Sequence, residues 1–289
     1  MSATIERIAK SLDSLPTLPV VALRIGEVIQ SDTANANQLA QLLRTDPGIS
    51  AKLLRLVNSP NFGIPGGVSD VARAIPFVGF AALHQLVVGV GVMDALKTTN
   101  AKVDPKPLWL HSLVVATAAR ELATTIRFAD AGSCFTAGLL HDMGKIALAK
   151  AEPDKFAQLC AAVRGGASAS DAEAALELPA HGEIGARLAR QWRLPATLAA
   201  PIEHHHAGPE DLAKLAANLR AITEIVAVAD VLSQRCTLAQ ETDAYTEDGD
   251  VHALAIMDAR GISTAQLDEV CGRVKAGLDK SNAFLSLLS

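Results

Sequence analysis

The chain has 289 residues, a formal net charge of −5, 49% apolar residues and only 3% aromatic ones. That length suits one large domain or two smaller ones, with enough apolar material for a sizeable core. The acidic balance, with no basic stripe, argues against electrostatic binding to nucleic acid.

A core so poor in aromatic residues must be built from Ala, Leu, Val and Ile. Ala and Leu favour helices, so packed helices are expected. The four cysteines, Cys134, Cys160, Cys236 and Cys271, form no C-x-x-C pair. Their spacing matches neither a zinc module nor a disulfide framework, and reduced buried thiols are expected. The first residues contain no apolar secretory segment. The most apolar stretch, Leu83 to Leu96, carries His84, Gln85 and Asp94 and is too short for a bilayer. A soluble, cytoplasmic chain without a membrane partner is the expectation.

Ile5, Ile8, Leu12 and Leu15 follow helical spacing, and Leu15-Pro16-Thr17-Leu18-Pro19 breaks the pattern. Helical periodicity resumes over Val20 to Ser31. Asn35 or Asn37 can cap a helix through Leu39, Leu42 and Leu43. Asp46-Pro47 pairs an N-cap with proline at the first helical position, opening a helix that carries Ile49, Leu53, Leu56 and Val57. Asn58 to Gly67 reads as a loop. Ser69 or Asp70 caps Val71 to Phe77, and Gly79 leads into a helix from about Ala81 to Lys97.

Thr98 to Pro107 is polar and holds two prolines, so it marks a boundary. The division expected is 1–100 for an N-terminal helical half, 101–236 for a second helical half and 237–289 for a C-terminal extension. In the second half, helices are expected over Trp109–Thr125, Phe135–Ala149, Lys155–Val163, Asp171–Leu176 and His181–Arg193. A short helix follows Pro195, and a long apolar one spans Leu212–Arg235. Thr242 to Asp250 is acidic and reads as a loop. Ser263 to Leu288 reads as one or two helices. No segment alternates like a strand, so the expected fold is all-α, a helical bundle in two parts.

The sharpest chemical signal is Gly138-Leu139-Leu140-His141-Asp142-Met143-Gly144-Lys145. An adjacent His-Asp pair is costly to bury without partners. A divalent metal is one partner, since imidazole and carboxylate both ligate Zn, Mn or Fe. Lys145 lies three residues past Asp142, roughly on the same helix face, where it could hold a phosphate oxygen.

Further candidate ligands lie on other predicted helices. They are His111, His181, the run His204-His205-His206, and Asp230 within Ile225 to Leu232. Each also has a plainer reading. His111 and His181 could be hydrogen-bonded helix histidines. The His run could be a solvated helix end, suited to the macrodipole. Asp230 could pair with Arg235 or Lys145, and Asp142 could be an N-cap.

The second half resembles the HD superfamily of metal-dependent phosphohydrolases, whose His, His-Asp, Asp pattern falls here on His111, His141, Asp142 and Asp230. His141 to Lys145, with His181, His205 and His206, resembles the HD-GYP branch, which hydrolyses cyclic di-GMP. Ala207-Gly208-Pro209 stands where that branch has Gly-Tyr-Pro, and Pro107 stands where some members place an extra acidic ligand.

The first half is similar to HDOD domains, the HD-related output domains of bacterial signalling. The likeness rests on Leu15 to Pro19, Asp46 to Ser50, Lys52 to Ser59 and Ala74 to Gly79. It continues through Gly182 to Ala186 and Trp192 to Pro195. The resemblance implies a helical fold and a regulatory role, with a signalling protein or a small nucleotide or phosphate ligand as partner. It also implies a divalent transition metal (Fe, Mn or Zn, as one or two ions) at His111, His141, Asp142, His181, His205, His206 and Asp230. The alternative it implies is a metal-dependent phosphohydrolase acting on a nucleotide, cyclic dinucleotide or other phosphate ester, with Asp142 and Lys145 in the reaction.

Overall fold

A computed structural model describes residues 3–29, 35–59, 62, 64–97, 104–236 and 251–278. Every regular element among them is a helix, as the Ala- and Leu-rich composition led one to expect. Their contacts form two compact units. One lies within Pro16–Lys97; the other combines residues up to Leu15 with Thr98–Lys275.

The first unit holds α2 (Val20–Ile29), α3 (Ala36–Arg44), α4 (Pro47–Val57), α5 (Val71–Val78) and α6 (Phe80–Ala95). Its helix starts are written in the sequence. Asn35 accepts from the Gln38 backbone while the Gln38 side chain caps Asn35, a reciprocal capping box. Asp46 accepts from Ile49 N at 3.0 Å, with Pro47 as the first helical residue. Asp70 does the same for Ala72 at 2.8 Å. Gly79 turns the corner between α5 and α6 at φ 83°, a value that suits residues lacking Cβ. Ile25, Leu39, Leu43, Leu53, Leu56, Leu83 and Leu86 form the buried core.

The second unit begins with α1 (Ala3–Asp13), anchored by Arg7 on Glu152 and Asp13 on Arg187. It continues with α7 (Lys106–Thr125), α8 (Ala131–Leu140), α9 (Met143–Ala151), α10 (Pro153–Arg164), α11 (Ala169–Ala175), α12 (His181–Gln191), α13 (Ala196–His204) and α14 (Pro209–Leu212). α15 (Ala217–Cys236), α16 (Val251–Arg260) and α17 (Thr264–Leu278) complete it. α7, α8, α13 and α15 pack on one another as a central group, and α12 lies on α9 and α13.

Two glycines set these spacings. A Cβ on Gly138 would stand 2.9 Å from Ala116 Cα, so its absence lets α8 lie directly against α7. A Cβ on Gly144 would stand 1.9 Å from the His181 carbonyl oxygen, so α9 and α12 meet backbone to backbone.

Two expected helices are divided. Phe135–Ala149 breaks at His141-Asp142, where α8 ends and α9 begins. Apolar residues run through both sides of this corner because both helices face the same core. Leu212–Arg235 is also not continuous: α14 ends at Leu212 and α15 starts at Ala217. Residues 213–216 are good helix formers, so tertiary packing overrides local propensity there. α16 was not foreseen. The boundary residues 98–103, the acidic stretch Thr242–Asp250 and residues 279–289 lie outside the described residues.

Candidate metal centre

The corner between α8 and α9 does the first piece of positioning. His141 is the last residue of its turn, and its ring Nδ1 lies 2.8 Å from the Gly138 carbonyl oxygen. A nitrogen facing a carbonyl must donate, which turns Nε2 inward with its lone pair available. Asp142 begins α9 but makes no side-chain cap bond. Its carboxylate is therefore free to point into the unit rather than along the helix end.

Two other rings are held in the same way. His205 Nδ1 lies 2.8 Å from Pro201 O, one turn back. His181, the first residue of α12, has Nδ1 2.8 Å from Glu173 Oε1 on α11. Both Glu173 oxygens also accept from the His181 backbone N–H at 3.3 Å. Glu173 is only 3% exposed, so this contact is well shielded.

The inward atoms converge. His111 Nε2 on α7 lies 3.0 Å from Asp230 Oδ1 on α15 and 3.6 Å from Asp142 Oδ2. His141 Nε2 lies 3.4 Å from Asp142 Oδ2 and 3.6 Å from Asp230 Oδ1. The other Asp142 oxygen faces the other way, 3.5 Å from His181 Nε2 and 3.6 Å from His205 Nε2. Lys145 Nζ is 3.0 Å from Asp142 Oδ2. The donors fall into three overlapping groups: His111, His141 and Asp230; His181, His205 and His206; and His141, Asp142 and His205. Asp142 thus presents one oxygen to each half of the cluster.

All seven proposed ligands and Lys145 are brought together. None of the three donor groups includes His204. Asp230 pairs with His111, not with Arg235, which instead reaches Asp268 at 3.1 Å. Two participants were missed. Glu173 orients His181, and Ser233 Oγ lies 3.5 Å from His111 Nδ1. Glu173 is embedded among alanines, and a glutamate is ordinarily exposed, so the sequence carries no signal for it.

The electrostatics match a cation site. Burial works against ionising Asp142, but His141, Lys145, His205 and His181 outweigh it and hold the carboxyl well below the usual range. Asp230 is likewise held low against its burial by His111 and His141. Burial, and then the neighbouring His205 and His181 rings, hold His206 well below its ordinary value.

The donors fit a divalent transition metal on three counts. Imidazole nitrogen and carboxylate oxygen are the right ligand types. Among the described residues, buried His141 Nε2 and Asp142 Oδ1 have no hydrogen-bond partner, which is unusual for polar atoms shut away from water. The Nε2 atoms of His181 and His205 face each other at 3.4 Å, while both Nδ1 atoms are already committed. Two lone pairs aimed at each other call for a shared proton or cation.

Comparison with known proteins identifies the family and the fold. The HDOD domain family matches residues 15–208. An uncharacterized protein of Treponema pallidum (strain Nichols) is 29% identical over 211 residues, which cover 69% of this chain and 39% of that protein. The chain thus spans about two fifths of that curated relative.

Among solved structures, an HDOD domain protein of unknown function from Geobacter sulfurreducens superposes with a TM-score of 0.71 at 24% identity. The match covers 96% of this chain and 98% of that one. A Shewanella amazonensis SB2B protein, provisionally named a phosphohydrolase, gives 0.70 at 22% identity with the same coverage. A Marinobacter aquaeolei VT8 protein, provisionally named for signal transduction, gives 0.72 at 20% identity, over 99% of this chain and 66% of that one. At these identities the structures establish a shared fold. No helix among the described residues is long and apolar enough to cross a membrane.

Proposed function

Because the chain belongs to the HDOD family, we propose that it is a regulatory module of bacterial signalling whose second unit holds a divalent transition metal. The ligands are His111, His141, Asp142 and Asp230, with His181, His205 and His206 completing the second half of the cluster. The observation that carries this reading is the facing pair of Nε2 atoms on His181 and His205, 3.4 Å apart, beside Asp142 Oδ1, which has no hydrogen-bond partner among the described residues. Regulation would act through a signalling protein or a small nucleotide or phosphate ligand.

A bound metal of this kind supplies Lewis acidity and lowers the pKa of its water. The chain's own residues do the rest. Gly138 O, Pro201 O and Glu173 fix three imidazole tautomers. Asp142 supplies one oxygen to each half of the cluster. Lys145 brings an ammonium group against Asp142, where it offsets negative charge.

Lys145 also favours a second reading, a metal-dependent phosphohydrolase. A buried ammonium 3.0 Å from a candidate ligand oxygen is suited to binding a phosphate oxygen. The two readings share the metal and differ in turnover.

Elemental analysis of chain purified without chelators is expected to find a divalent transition metal. His141→Ala combined with Asp142→Ala is expected to remove it. Metal-free wild-type protein overturns the reading. A phosphoester and cyclic dinucleotide screen with Mn, Fe and Zn separates the two roles. Flat progress curves with metal present leave regulation standing and dispose of hydrolysis.

A further inference from the structure

Cys236 and Cys271 are 35 positions apart in sequence, yet their sulfur atoms lie 2.7 Å apart, both as free thiols. Cys236 is the last residue of α15, and Cys271 sits in the middle of α17. Ion pairs independent of sulfur link α17 to α15 and to α7. Arg235 reaches Asp268 at 3.1 Å, and Arg273 ties α17 to Glu121 on α7 at 2.6 Å. Val270 and Val274 are fully buried on either side of Cys271. The thiol pair thus sits where the end of α15 meets a buried stretch of α17.

From this geometry we infer a covalent modification site: Cys236 and Cys271 close a reversible disulfide, with a hydroperoxide as oxidant and a dithiol as reductant. Cys271 is the entry point. It is 7% exposed, whereas Cys236 is 1% exposed. The contact with Cys236 lowers the Cys271 pKa, and Arg235 and Lys275 nearby act in the same direction, against burial and Asp268. The same contact and burial push Cys236 up.

The Cys271 thiolate attacks one peroxide oxygen. The O–O bond breaks, and water leaves after protonation, giving a sulfenic acid on Cys271. Cys236 sulfur then attacks the Cys271 sulfur, its proton leaves with the hydroxyl as a second water, and the S–S bond forms. In sum, two thiols and one hydrogen peroxide give one disulfide and two waters. A dithiol restores the pair by exchange and leaves as its cyclic disulfide.

Cys134 and Cys160 serve as internal controls, since both are buried free thiols. The product would fasten α17 to the C-terminal end of α15, the helix whose Asp230 lies in the candidate metal centre. The site itself does not depend on that reading.

The experiment treats the full chain with hydrogen peroxide under native conditions, blocks remaining thiols, and maps cysteines by peptide mass spectrometry. The expected result is loss of two of the four thiols, a Cys236–Cys271 cross-linked peptide, and full recovery with dithiothreitol. In Cys236→Ala, dimedone is expected to trap a sulfenic acid on Cys271. Four thiols surviving in the wild type, or losses at Cys134 or Cys160, or links only between chains, overturn the inference. The wild-type map gives this answer even if a cysteine variant fails to fold.

Discussion

Replacing Glu173 tests the centre at the residue furthest from suspicion. Its carboxylate receives the His181 ring at 2.8 Å and the His181 backbone N–H at 3.3 Å on each oxygen. A hydrogen bond to an ionised group contributes about 1.5–3 kcal/mol. At ~1.4 kcal/mol per decade, that is about 10–100-fold in any equilibrium that needs the ring fixed. The same range, roughly 10–100-fold, is typical when an outer partner of a ligating imidazole is lost.

Glu173→Gln keeps the volume and one acceptor oxygen, so it belongs at the lower end, about 10-fold weaker metal binding. Glu173→Ala leaves two buried donors unanswered and belongs near the upper end. It also carries a stability loss of about 1–3 kcal/mol. Competition of the purified chain against a chelator, with Zn and then Mn, measures the affinity, and thermal unfolding measures the stability. If both variants bind metal as the wild type does while unfolding normally, the orienting role of Glu173 is refuted.

Two other perturbations have definite outcomes. Gly144→Ala places a methyl group where the His181 carbonyl oxygen stands, so α9 and α12 must separate. Overpacking of this kind costs about 1–3 kcal/mol, and the unfolding midpoint should fall; an unchanged midpoint would contradict the packing described. His84 is held below its ordinary pKa by burial, partly offset by a backbone hydrogen bond to Ala22. The unfolded chain therefore takes up the proton more readily than the folded one. The contribution of His84 is complete above pH 6.5, its ordinary value, and shrinks as pH falls below it. Denaturant titrations should show the wild type losing more stability on acidification than His84→Gln; equal losses would count against a buried neutral ring.

The legible part of the molecule was the part governed by local chemistry. Asn35, Asp46-Pro47 and Asp70 announce helix starts because each side chain bonds a backbone N–H within three residues. Asp230 and the His-Asp pair stand out because ionisable groups inside apolar runs need partners. What escaped depends on contacts distant in sequence. The corner at His141-Asp142 is invisible to periodicity because core-facing residues continue on both sides of it. Glu173 gains its role only when α11 comes against α12. Cys236 and Cys271 look unrelated until α17 lies on α15. The first member of the His run, His204, differs from its neighbours only in where the end of α13 points it.

The candidate ligands are contributed by α7, the α8–α9 corner, α12, the end of α13 and α15, spread from His111 to Asp230. No single helix or hairpin could keep an ion if it peeled away by itself. Occupancy would therefore convert partial opening of this unit into an all-or-none event, suppressing the frayed intermediates on which proteases feed. Loss of the ion would then register first as faster proteolysis of the chain.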